Sequence, residues 1–445
     1  MIKVKACAFS VFMVLFLAIT ASRGAAVTGI NCDTFRPDSQ ADVLLFVQDC
    51  YVDKIDPAVL EAAYQKGGLA EVFKLLDPHS QYLNEEERAE EDKLRREGGS
   101  FGGVGLEVSV EGKNIIVVGV IPGSPSSRED IRENDILSAV CENQTDCIVV
   151  DRKILGSKDK NAYLNIIVSK IRGKIGTPVT LKFKRSGSGK DVVVTLKRAV
   201  ILPETVTAKT YGDFLNIRLR GFTDPKADKQ VSEEISKVPG AKGVILDLRG
   251  NPGGLLPQAN LISSLFLERK SLITSIVTRK YPKDNPEKYH AFSWNFFGTN
   301  FKMPLVVLVN QGSASASEIF TAACQDNKRC VVIGMPTFGK AIMQTQYDFG
   351  KERIRLTTGR LYRPNGKSLQ GKGVIPDIIV SNSGSEAIDN EMKEARDKFS
   401  ERMLPGYIKG EEEELTAEEA AKFSLIQRDR QLEMALEILK ILNTK

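Results

Sequence analysis

Five consecutive apolar residues, Leu305 to Val309, are followed by Gly312-Ser313-Ala314-Ser315-Ala316-Ser317-Glu318, and then Ile319, Phe320, Ala322 and Ala323 recur at three-and-four spacing. The run has the length and β-branched content of a buried strand, and the later residues have the periodicity of a helix with one buried side. A turn made only of small residues must join them. This arrangement calls for an α/β layer, and it puts a serine hydroxyl at a helix N-terminus, where free N–H groups and the helix dipole stabilise developing negative charge.

Two readings of that serine compete. Ser315-x-x-Glu318 is a capping box, in which the serine accepts from the third helical N–H and the glutamate reaches back. Ser315 is equally well placed as a nucleophile, but a serine hydroxyl is weak unless a base sits beside it. The chain has two histidines, His79 and His290, and neither lies in a stretch resembling a triad partner. Lys340, in Thr337-Phe338-Gly339-Lys340, is the better base. Its amine must then be neutral, so burial has to bring its pKa from about 10.4 towards about 7–8. Phe338, Ala341 and Ile342 supply apolar neighbours. Gln344 shares a face with Lys340 in either a strand or a helix, which lets its amide oxygen orient the amine.

The chain begins with Lys3 and Lys5, an apolar run from Ala6 to Ala21, and small residues through Ala26. That is the pattern of a secretory signal peptide, assigned to residues 1–24, and the run is short for a membrane span. The product is expected to be exported, in the periplasm, and soluble after cleavage. A net charge of +5 over 445 residues, with both signs well mixed, gives no reason to expect nucleic acid as a partner. Beyond Cys7, six cysteines sit as neighbours, Cys32 with Cys50, Cys141 with Cys147 and Cys324 with Cys330. An even number in an exported chain invites disulfides, although six cysteines allow fifteen connectivities. There is no CxxC, so no metal site is expected, and nothing calls for a cofactor.

Residues 33–98 read as helices that end at Asp77-Pro78-His79-Ser80-Gln81-Tyr82-Leu83 and a glutamate-rich stretch. His79 reads as a structural turn residue. From Phe101 the chain changes to short strands. Val244 to Leu248 is an apolar strand running into Arg249-Gly250-Asn251-Pro252-Gly253-Gly254 and a helix through Leu267. Such a loop could hold a phosphate, but its spacing fits neither a dinucleotide fingerprint nor a Walker loop. After Val380 the chain turns polar, with Glu411 to Glu414 a solvated run, and closes on an amphipathic helix from Gln431 to Leu442.

The segments NQGSASASEI and TFGKAIMQ resemble the catalytic segments of the carboxyl-terminal processing proteases, a Ser-Lys peptidase family. The resemblance spans roughly residues 41–380 and the last helix. It makes Ser315 the nucleophile, Lys340, 25 residues on, the base, and Gln344 its partner. Asp326 falls where the family has an aspartate, which reads here as structural. NPGG would supply an oxyanion-hole N–H from Gly253 or Gly254, beside that of Ala316. Phe101 to Val108 resembles the carboxylate-binding loop of a PDZ domain, which implies tail binding at Gly103, Val104, Gly105 and Leu106.

The implied architecture is multidomain α/β: a helical region at 33–98, a PDZ β-domain at 99–200, a ClpP/crotonase-like peptidase core at 201–380 and C-terminal helices at 385–445. The expected activity is serine endopeptidase action on proteins held by their C-termini. An activating adaptor and self-association remain open as partners. The rival from another class is a PDZ-bearing scaffold or chaperone whose peptidase core is inactive.

Overall fold

The computed structural model describes residues 30–444 except 33, 97–101, 112, 122, 133, 143–145, 156–159, 186–188, 202–203, 293–300, 381–399, 402–403, 405 and 410–428. The signal peptide and the Glu411–Glu414 run lie outside the described residues. Contacts divide the chain into two units. One holds the chain up to Leu83, Gly212–Phe214 and the chain from Gly240 onward; the other holds Asn84–Tyr211 and Leu215–Pro239.

In the first unit, helix α1 (Gln40–Cys50) starts at Ser39, whose hydroxyl accepts from the Asp42 N–H at 3.2 Å. A disulfide from Cys32 to Cys50 ties the preceding segment to its last turn. Helix α2 (Pro57–Phe73) follows, interrupted at Gly67-Gly68. After the turn at Asp77–Ser80, strand β1 (Gln81–Leu83) pairs antiparallel with Arg353–Arg355. The apolar faces of α1 and α2, with Phe46, Val47, Leu60 and Val72, pack on Ile342, Phe349, Ile354 and Leu356.

The second unit holds the short-strand region. The strands β2 (Gly102–Gly103), β3 (Leu106–Glu111), β4 (Asn114–Val120) and β5 (Ile136–Cys141) are followed by helix α3 (Lys160–Ile171) and strands β6 (Pro178–Lys184), β7 (Asp191–Lys197) and β8 (Ala199–Val200). The sheet runs β3-β4-β5-β6-β7, so β3 is an edge, while β2 pairs with β8. Strand β6 alternates buried and exposed residues, as expected of a half-buried strand. Val104, Ile115, Leu137, Ile167 and Phe183 form the core of this unit. A disulfide joins Cys141 to Cys147 across neighbouring strands.

The rest of the first unit contains a parallel sheet. Strands β9 (Gly243–Asp247), β10 (Leu305–Val309), β11 (Val331–Gly334) and β14 (Ile378–Ile379) lie side by side in parallel. Every residue of β9 and β10 is buried, which accounts for the apolar runs Val244–Leu246 and Leu305–Val309. Helix α4 (Leu256–Phe266) follows β9, and helix α5 (Ala316–Asp326) follows β10. Between β11 and β14, the hairpin of β12 (Ile342–Phe349) and β13 (Glu352–Tyr362) brings the chain back towards β1. The final helix α6 (Arg430–Leu442) sets Ala435 and Leu439 against Ile245, Val306, Leu308 and Ile333. That settles where its apolar face goes: onto the core.

Cys324 and Cys330 are free thiols, so two of the three neighbouring cysteine pairs are bridged. No helix among the described residues is long and apolar enough to cross a membrane.

Candidate active site

Ser315 stands at the junction of β10 and α5 with φ 56° and ψ −114°, a left-handed conformation that costs a residue bearing a side chain of order 1–3 kcal/mol. Such a conformation persists only where its surroundings fix it. Here they do: Ser313 Oγ donates to Leu248 O at 2.7 Å and Ser317 Oγ to Asn251 O at 2.9 Å, stitching the turn to the loop after β9. The small residues leave room for that approach. A Cβ on Gly253 would stand 2.6 Å from Ala314 O and 2.8 Å from both Ala316 N and Ser315 Cβ, and Gly253 has φ 95°. Only glycine fits there.

Glu318 is the hub. It is fully buried, and its carboxylate accepts four bonds: Oε2 from Ser315 N at 2.8 Å and Lys340 N at 2.9 Å, Oε1 from Thr337 Oγ1 at 2.5 Å and Gly339 N at 2.7 Å. One residue therefore holds both the turn bearing Ser315 and the loop bearing Lys340. The glutamate arm of the capping box is made in this way, and the Glu318 N–H also donates to the Ser315 backbone carbonyl at 2.9 Å. Burial pushes the Glu318 carboxyl up to about 7 against the pull of these four donors.

Lys340 lies half-buried just before β12. Loss of solvation brings its amine below the ordinary lysine range, and the carboxylates of Glu401, Asp77 and Glu318 partly oppose that shift. Gln344 sits on β12, where its amide nitrogen donates to Thr357 Oγ1 at 3.2 Å. The Thr357 hydroxyl in turn donates to Asp77 Oδ1 at 3.0 Å. This chain of bonds has a fixed sense. The Asp77 carboxylate only accepts, so the Thr357 proton points to it, the Thr357 oxygen accepts from Gln344, and the amide oxygen of Gln344 is left for another donor.

Asp77 is buried and takes further bonds from Ser80 Oγ at 2.6 Å and His79 N at 3.0 Å, while its own N–H donates to the Tyr51 hydroxyl. Burial, with the Asp77 charge beside it, raises the Tyr51 phenol well above its usual value.

The first helical residue, Ala316, carries one of the N–H groups a helix leaves without an internal acceptor. The Gly253 N–H donates to Asn251 Oδ1 at 2.9 Å. Asp326 accepts from the Arg363 guanidinium and from Asn365 at the far end of α5, where it braces the helix. In the second unit, Val104 is buried, Leu106 opens the edge strand β3, and a Cβ on Gly105 would strike Ser124 at 2.1 Å. Among the described residues no group of three His, Cys, Asp or Glu side chains could hold a metal ion.

A strained serine at the head of a helix, tied through one glutamate to a desolvated lysine, has the parts of an acyl-transfer site. Sequence comparison supplies the family. The model of peptidase family S41 matches residues 213–380. A carboxy-terminal-processing protease of Bartonella bacilliformis is 35% identical over 346 residues, covering 76% of this chain and 73% of the relative. The chain belongs to the carboxy-terminal processing proteases.

It is therefore a serine-type peptidase of a family that acts on proteins. Among other relatives of this protease, the carboxy-terminal processing protease CtpA of Bacillus subtilis is 32% identical over 339 residues, 75% of this chain and 66% of the relative. A structure classed as an S41 protease, from Bacteroides fragilis, covers 83% of this chain and 97% of its own at 14% identity with a TM-score of 0.51, a likeness of fold.

The structure gathers Ser315, Lys340, Gln344, Gly253, Gly254 and Ala316 in one unit, and Gly103 to Leu106 in the other. Sequence reasoning passed over Asp77, Thr357 and Glu401. Asp-Pro-His-Ser, with three polar side chains in a stretch already resembling the family, was the available signal for Asp77. Thr357 lies in a strand that also resembles the family but carries no signal of its own chemistry, and Glu401 lies outside the resembling stretch.

Proposed function

We propose that this protease is an exported endopeptidase that takes proteins by their C-terminal tails and cleaves them with Ser315 as nucleophile, Lys340 as base and Gln344 as the guide of the lysine. The observation that carries the reading is the shared acceptor: Ser315 N and Lys340 N both donate to Glu318 Oε2. That fixes the backbones of nucleophile and base to one point.

In the reaction, neutral Lys340 removes the Ser315 proton as the hydroxyl oxygen attacks the scissile carbonyl. Gln344 holds the amine through its free amide oxygen. The oxyanion forms in front of the N-terminus of α5. With the Gly253 N–H held by Asn251, the donors are the N–H groups of Ala316 and Gly254. Protonated Lys340 then delivers its proton to the leaving amine, and water activated by the same lysine releases the acyl enzyme.

For tail capture we infer a PDZ domain in the second unit. Strand β3 has an open edge, and it follows a glycine loop, Gly103-Val104-Gly105-Leu106, as a site for an added strand ending in a carboxylate requires. The N-terminal residues 1–24 would be removed on export.

The test is digestion of one unfolded protein in two forms, ending either in a free apolar tail or in the same tail amidated. Faster cleavage of the free tail supports the reading. Equal rates would remove tail recognition from it, and a purified exported protein that still begins at Met1 would remove signal cleavage.

A further inference from the structure

Downstream of the parallel sheet the chain turns polar, yet Glu401 is fully buried against the lysine loop. Three sets of bonds hold it. The Glu401 N–H donates to Phe338 O at 3.0 Å, on one side of Lys340. On the other side, Gln370 accepts from the Ala341 N–H at 2.6 Å and donates through its amide nitrogen to Glu401 Oε1 at 3.2 Å. His79 Nε2 lies 2.8 Å from Oε1 and 3.0 Å from Oε2, and an ionised carboxylate can only accept there. The loop Phe338–Ala341 is thus gripped from both ends by one carboxylate-centred network.

We propose that Glu401 is a positioning residue for Lys340: with His79 and Gln370 it clamps the lysine loop, and its buried charge governs how tightly the amine keeps its proton. The inference rests on Lys340 being the base. Nothing in the reaction needs Glu401 to touch substrate. A fully buried carboxylate is costly to keep unless it is paired, and here its direct partners are His79 and Gln370, while its charge also acts on the amine carried by the loop it holds.

The carboxylates whose charge acts on the amine are Glu401 from the downstream segment, Asp77 from the turn after α2, and Glu318 from α5. Glu318 and Asp77 each have several donors other than the lysine. His79 is the titratable group facing Glu401 from the N-terminal turn. Removing the Glu401 charge therefore leaves the amine with less to hold its proton, so the lysine becomes neutral at lower pH.

The experiment compares the wild-type full chain with Glu401→Gln and Glu401→Asp. Two curves are recorded from pH 5 to 10: kcat/KM for an unfolded protein ending in an apolar tail, and acetylation of Lys340 by acetic anhydride, read by mass spectrometry. For Glu401→Gln the rising limb and the acetylation midpoint both move down by about one pH unit, the size of effect an opposite charge at close range exerts. Glu401→Asp keeps the charge, so both midpoints stay near wild type. Its plateau falls several-fold, because the shorter side chain cannot reach His79 and Gln370 together.

Unmoved midpoints in Glu401→Gln, or an equal move in Glu401→Asp, would overturn the proposal. Should Glu401→Gln lose its cooperative melt, Glu401→Asp decides alone, and a moved midpoint there is contrary. The acetylation curve keeps the two claims apart. A midpoint that moves in Glu401→Gln while Ser315→Ala cleaves like wild type upholds the clamp and rejects the Ser-Lys reading.

Discussion

Ser315 and Lys340, 25 residues apart in the chain, donate their backbone N–H groups to the same atom, Oε2 of Glu318, at 2.8 and 2.9 Å. The proposed nucleophile and base are therefore placed by backbone, through a buried third residue, and their side chains remain available for chemistry. This explains why the strained conformation of Ser315 is tolerated: the bond to Glu318 opposes the strain.

Glu318→Gln would put an amide nitrogen where two donors already point, leaving at least two buried groups unpaired at about 1–3 kcal/mol each. kcat is expected to fall at least about a hundredfold, roughly 2.7 kcal/mol. The pH dependence has a definite sign. Burial raises the native carboxyl from 4.5 to about 7, so between those values the native state holds a proton the unfolded chain has released. Stability from this site is fully present below about pH 4.5 and is lost as pH rises through about 7. Urea unfolding should show the stability difference between wild type and Glu318→Gln falling over that window and flat above it.

Gly253→Ala tests the approach of the loop to the serine turn. With φ at 95° and backbone atoms 2.6 and 2.8 Å from the new methyl group, either the loop or the turn must shift. The cost is of order 1–3 kcal/mol, and the melting temperature should drop by a few degrees with kcat lowered at least tenfold. Wild-type kcat would show that the loop has no part in the chemistry.

Thr357→Val removes the hydroxyl between Asp77 and Gln344 while keeping the shape of the side chain. Gln344 then loses the bond that sets its amide orientation. A fall in kcat of about tenfold, near 1.4 kcal/mol, is expected with KM unchanged. A change in KM alone would place Gln344 in substrate binding instead.

Gly105→Ala addresses tail capture. Its methyl group would stand 2.1 Å from the Ser124 side chain at a φ of 82°, so the loop before β3 must distort. Binding of a labelled apolar tail peptide should weaken at least tenfold while acetylation of Lys340 keeps its pH midpoint. Undiminished tail binding would move the capture site elsewhere.

The strand, small-residue turn and helix around Ser315 were legible in the sequence because all their determinants are local: an apolar run, a run of small residues and a helical period. Lys340 was picked out as the candidate base through the lack of a suitable histidine. Glu318 was half legible. Its spacing from Ser315 announced a cap, but its bonds to Thr337, Gly339 and Lys340 depend on how β11 returns beside β10, which no local pattern encodes. Asp77 and Thr357 meet only because the N-terminal helices pack against the β12–β13 hairpin. Glu401 was hidden further, in a stretch whose polar composition reads as solvated.

Digestion of an unfolded protein with an apolar C-terminal tail by wild type, Ser315→Ala and Lys340→Ala, from pH 6 to 9, tests the central claim most directly. Because desolvation lowers the Lys340 pKa, its amine loses its proton below the usual lysine range, and the wild-type rate should rise with pH along that limb. Both variants should lose at least about a thousandfold, roughly 4 kcal/mol. A Lys340→Ala protein that cleaves at the wild-type rate, or a wild-type rate flat across the range, would contradict the assignment of Lys340 as the base.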